Sequence, residues 1–77
     1  MQSPADGVQA NESGLPLLTA EKAQLDSNLE KLRESVSDEA QQALSPDELS
    51  RRYHQIDAMS VYSEVLGNRI KALGGSV

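Results

Sequence analysis

Few residues in this chain are equipped for chemistry. His54 is the only histidine, and Asp57 lies one helical turn from it. A His beside a carboxylate can serve as a general base when a nucleophile is within reach. Here no nucleophile, glycine-rich loop or metal partner accompanies it, so the pair reads as a surface His among helix-surface charges. Asp38-Glu39 and Asp47-Glu48 are acidic pairs, but neither has the spacing of a calcium loop, and capping and solvation account for both. The chain has no Cys, which excludes disulfides and thiolate metal sites, and a single His excludes a multi-His cage. Asn11-Glu12-Ser13 fits a glycosylation sequon by chance. No enzyme activity and no catalytic, cofactor-binding or metal-ligating residue is expected.

The elements that would carry these residues are helical. Residues 1–14, MQSPADGVQANESG, mix Pro4, Gly7 and Gly14 with small polar residues and are expected to form a disordered tail, or one ordered only by a partner. Residues 15–77 are expected to form a helical hairpin. Helix one is predicted over about 19–43, with Thr19 as N-cap. Its apolar stripe is Leu18, Leu25, Leu29, Leu32, Val36, Ala40 and Ala43. The stripe weakens after Val36, where Ser35, Ser37 and Asp38 are poor helix formers, and either fraying or a break is expected there.

The strongest local signal is Ser45-Pro46-Asp47-Glu48. Ser45 can cap the amide of Glu48, and the Glu48 side chain can reach back to the amide of Ser45. Pro46 suits the first helical position, where its missing N–H costs nothing. It also disfavours helical geometry at Ser45, which separates the two helices. Asp47 with Arg51, and Glu48 with Arg52, are spaced for i,i+4 pairing. Helix two is predicted over about 46–73, ending at Gly74-Gly75.

The main stripe of helix two is Leu49, Arg52, Ile56, Met59, Ser63, Leu66, Ile70 and Leu73, a heptad seam interrupted by Arg52 and Ser63. Those two are expected either to set register, to touch a partner, or to mark where the seam turns away. Tyr53, Val61, Tyr62 and Val65 lie off the stripe and widen the apolar surface. Two helices in so short a chain fold most simply as an all-α, two-helix antiparallel hairpin, coiled-coil-like in character. Apolar surface left over would mark an interaction site.

Size and charge narrow the function further. At 77 residues, with no Phe or Trp, the core is small. Apolar burial then roughly cancels the ordering entropy of about 1.5 kcal/mol per residue, so protein partners or self-assembly are expected to supply stability. The net charge of -5 argues against nucleic acid and against an anionic membrane surface. No apolar run is long enough for membrane insertion.

Residues 45–73, SPDELSRRYHQIDAMSVYSEVLGNRIKAL, resemble the C-terminal half of the small needle and inner-rod subunits of type III secretion systems. Those subunits carry a Pro-containing turn, a polar opening with Leu or Met, a Gln-rich amphipathic segment, a Ser/Asn-aromatic pair and an apolar helix with a Lys. The matching positions are Pro46, Leu49, Gln55, Ile56, Ser60, Tyr62, Val65, Ile70 and Lys71. The chain departs from that pattern in its few aromatics and its Gly74-Gly75-Ser76-Val77 ending. It is also similar in size and acidity to the small hairpin chaperones of the same systems. Leu25-Asp26-Ser27-Asn28 is similar to the attachment site of acyl carrier proteins, but Ser27 falls within helix one rather than at a helix start.

The resemblance implies a secretion-apparatus subunit that polymerises through helix packing. The alternative is a small co-chaperone or coiled-coil adaptor that holds a secreted partner's helix. The partners expected are protein helices, either other copies of this chain or another secretion-system component. Leu49, Ile56, Met59, Leu66, Ile70 and Leu73 are expected to carry hairpin or intersubunit packing, and Tyr62 and Val65 to touch neighbours. No Sec-type signal is evident in residues 1–14, so the chain is expected to be made in the bacterial cytoplasm. If the resemblance holds, it is exported to the apparatus or the cell surface.

Overall fold

A computed structural model describes the backbone of residues 4–41 and 43–76, and the side chains of residues 14–39 and 43–76. The chain is an antiparallel pair of helices, α1 (Pro4–Glu34) and α3 (Pro46–Ala72), joined through the short α2 (Asp38–Gln41). Its extents are 54 × 27 × 14 Å. A helix with its side chains is roughly 10–12 Å across, so the smallest dimension is one helix thick. Each helix therefore has one face against its partner and the rest outward.

α1 begins at Pro4, well before the expected start at Thr19. The backbone of residues 4–14 is included in α1, and residues 1–3 lie outside the described part. Extending a helix adds one hydrogen bond per residue fixed, far cheaper than nucleating one, and Pro4 is acceptable in the first turn. Thr19 is accordingly not an N-cap. Its hydroxyl donates to the Leu15 carbonyl at 2.8 Å, one turn back. Pro16 sits inside α1 and has no N–H to offer the preceding turn.

Helix one does not run to residue 43 as a single rod: it ends before Val36, and a separate short α2 follows. α1 ends at Glu34, and the chain tightens into i→i−3 bonds, Val36 N–H to the Arg33 carbonyl at 3.2 Å and Ser37 N–H to that of Glu34 at 3.1 Å. The Ser35 hydroxyl donates to the Leu32 carbonyl at 2.6 Å. Ser and Asp compete for backbone groups in this way, which is why three of them close together end a helix. Val36 is buried at this corner.

α3 starts as the Ser-Pro-Asp-Glu pattern requires. Ser45 is extended (φ -68°, ψ 154°), and its Oγ accepts from the Glu48 N–H at 3.1 Å. The reciprocal half of the box is not made. The Glu48 carboxylate instead accepts from Arg51 Nε at 3.1 Å and Arg52 Nε at 2.8 Å. Arg51 thus pairs with Glu48 at i,i+3 and not with Asp47. A guanidinium offers a charged donor, which outcompetes the neutral Ser45 amide. The two contacts hold the Glu48 carboxyl below its ordinary range, Arg52 more than Arg51.

At its other end, α3 closes with Gly75 N–H to the Ile70 carbonyl at 2.9 Å and Gly74 N–H to that of Lys71 at 3.0 Å. This paired closure needs a left-handed residue, which Gly74 supplies with φ 88°.

The core lies toward the terminal end of the hairpin, where Leu18 of α1 meets Leu66 and Ile70 of α3, with Leu15 and Leu25 packed alongside. Leu66 and Ile70 are 0% and 1% exposed. Leu29 and Val36 are the other buried apolar residues.

Candidate protein-interaction surface

Polar ties hold the two helices in register, and one of them comes from a residue that interrupts the apolar stripe of α3. Ser63, on the seam of α3, accepts from Lys22 Nζ at 2.9 Å and donates to the Asp26 carboxylate. Lys22 and Asp26 are themselves paired at 2.7 Å along α1. The Lys22 hydrogen bond, then that of Ser63, lowers the Asp26 carboxyl below its usual value. Nearby, the Tyr62 hydroxyl donates to the Glu21 carboxylate, which pushes the phenol up, since losing that proton would set two anions together. Toward the turn, Arg33 donates to Ser60 Oγ at 3.2 Å. Ser63 is thus a register device within the chain. Arg52 is not: it leans along α3 to Glu48.

The eight residues expected to carry hairpin packing or partner contacts fall into three groups. Leu66 and Ile70 are fully enclosed by the hairpin and are closed to a partner while it is folded. Leu49, Ile56 and Met59 are half-buried along the inner seam. Tyr62, Val65 and Leu73 are exposed, although Tyr62 also spends its hydroxyl on Glu21.

Two further residues join the exposed group. Val61 is 62% exposed and Leu17 of α1 is 70% exposed. Leu17 lay outside the predicted helix, which began at Thr19, so its position on a helix face was not legible until α1 was seen to run through it. Leu18, Arg69, Ala72 and Leu73 line a shallow groove beside this surface. Isolated exposed apolar residues are ordinary, but several on adjacent turns of one helix form a surface.

His54 is exposed, as is Asp57. Among the described residues no group of three or more His, Asp or Glu could hold a metal ion, and no helix is long and apolar enough to cross a membrane. The surface presents exposed apolar side chains with charged residues at its margins.

No curated protein and no solved structure matches the chain significantly. One protein family does: the Sequestin family matches residues 17–72, from Leu17 at the hairpin's terminal end to the last residue of α3. That match spans both packed helices and their connection, well over half of the sequence, and the chain belongs to the Sequestin family.

Proposed function

We propose that this chain is a protein-interaction module that works by packing the outer surface of its hairpin against helices of other protein chains. The observation that carries this reading is the exposure of Val61, Tyr62, Val65 and Leu73 on or just beyond α3, together with Leu17 on α1, in a hairpin only one helix thick. The small core supports it as well: five buried apolar residues among those described leave little stability in reserve, and binding a partner only in the folded state adds to it by mass action.

A needle or inner-rod subunit, polymerising through such packing, is the form that the resemblance of residues 45–73 implies. A co-chaperone or coiled-coil adaptor holding a partner's helix uses the same surface. The Sequestin match carries no activity that chooses between them.

Thermal melts of the purified chain across a hundredfold concentration range test the module reading. A weakly cooperative melt whose midpoint rises with concentration, or with an added helical partner, supports it. A sharp, concentration-independent melt of a monomer that no helical partner shifts overturns it.

A further inference from the structure

α3 carries a second seam that its own hairpin leaves uncovered. Ala58, Val61, Val65, Asn68 and Ala72 recur at alternating steps of three and four residues. At ~100° per residue they lie roughly 150° around the helix from the Ser63, Leu66 and Ile70 face. All five are exposed, Val61 and Val65 at 62% and 45%. A three-four repeat is the pattern by which one helix seats along another. Most residues that tie the hairpin together are on the opposite side, and Tyr62, which reaches Glu21 of α1, lies on the Arg69 margin of the seam and not on it.

The flanks of this seam say what covers it. Glu64 lies on one margin and Arg69 on the other, both exposed and neither in an ion pair among the described residues. Five residues apart on one helix, they point to different sides and cannot meet. On two parallel helices in register, the residue just before one seam position faces the residue five further along its neighbour. Glu64 then meets Arg69 of a second copy, and the symmetry makes the contact twice. An antiparallel pairing centred on Val61 and Val65 would set Glu64 against Glu64 of the other copy and leave Arg69 without its partner, although it would also bring Asp57 opposite Lys71. In-register parallel pairing also stacks Asn68 amide on Asn68 amide, where each can satisfy the other.

We infer that two copies of this chain associate through α3, parallel and in register, along Ala58, Val61, Val65, Asn68 and Ala72, with Glu64 of each copy paired to Arg69 of the other. This rests on the helix-packing reading above and names the partner as a second copy. The apolar side chains supply the affinity. The exposed charges chiefly set orientation, as such pairs add little net binding.

The chain has no cysteine, so single-cysteine variants report cleanly. Ala58→Cys and Asn68→Cys lie on the seam either side of Val61 and Val65, and an antiparallel pairing centred there sets one against the other. In the parallel dimer each variant oxidises to a dimer with itself. Disulfides that form only between the two variants when mixed would show an antiparallel pair and overturn the proposal. Charge reversal gives the second test: Glu64→Arg or Arg69→Glu alone weakens association by roughly tenfold in sedimentation, and the double exchange restores it. Circular dichroism on each variant checks that the exposed substitutions leave the hairpin helical. A dimer unaffected by Val65→Asp and untrapped at either cysteine overturns this seam while leaving the helix-packing reading intact. A concentration-independent, sharply melting monomer that binds no helix overturns both.

Discussion

The Ser63 hydroxyl of α3 donates a hydrogen bond to the Asp26 carboxylate of α1, and Lys22 closes the group by donating to both. The helices are thereby pinned at one point by a small, satisfied polar cluster on the rim of an apolar seam. A serine in a heptad seam weakens packing. Here the loss is offset by a specific cross-helix contact that sliding by a residue would break.

Replacing Ser63 by Ala should therefore cost about 1 kcal/mol, the net worth of a hydrogen bond whose partners stay satisfied. Lys22 and Asp26 keep each other after the change. Urea denaturation of the two proteins at neutral pH measures the difference. A loss well above that range would mean that Ser63 packs more than it bonds.

Acidification should act through the same cluster. The folded-state carboxyl of Asp26 sits below 3.8 because Lys22 and Ser63 stabilise its charged form. A depressed folded value means that this contribution is fully present above 3.8 and is lost as pH falls through the lower folded value. The stability gap between the native chain and Asp26→Asn should then narrow as pH drops below about 4. A gap that stays constant down to pH 2 would remove Asp26 from the account.

Burial separates residues that look alike in the sequence. Leu66→Ala opens a cavity at a fully enclosed position and should cost ~2–5 kcal/mol, enough to unfold a chain of this size. Val61→Asp, at an exposed position, should leave the monomer's helicity unchanged, with stability within roughly 0.5 kcal/mol. Circular dichroism at low concentration compares the two. Equal losses would contradict the division between inner and outer faces.

The C-terminal closure should tolerate no side chain at Gly75. A methyl there would stand 2.7 Å from Leu15 Cδ1 and 2.8 Å from Ile70 Cγ2, well inside contact distance. Gly75→Ala should destabilise the hairpin by about 1–3 kcal/mol through overpacking at the core's edge. Gly74→Ala should also destabilise, for a different reason, since Gly74 holds φ 88° in open space. Leu15→Ala in the Gly75→Ala background should recover part of the first loss and none of the second, as read from melting midpoints.

The start of α3, the break near Ser35 and the glycine stop after Leu73 were all legible as local chemistry. Ser45 caps, Pro46 begins, serines compete with the backbone, and Gly74 turns left-handed, each through groups within a few residues of one another. The exact start of α1 was not legible, because Thr19 offers N-cap chemistry while the helix already runs through Leu15, whose carbonyl accepts from the Thr19 hydroxyl. Periodicity likewise placed Leu66 and Val65 on neighbouring rows but could not say which row meets α1. That choice came from pairing residues far apart in the chain, Leu18 with Leu66 and Ile70, and Lys22 and Asp26 with Ser63. A helical repeat states which side chains share a face; only the packing of one helix on another decides which face is spent on the chain's own core and which is left for a partner.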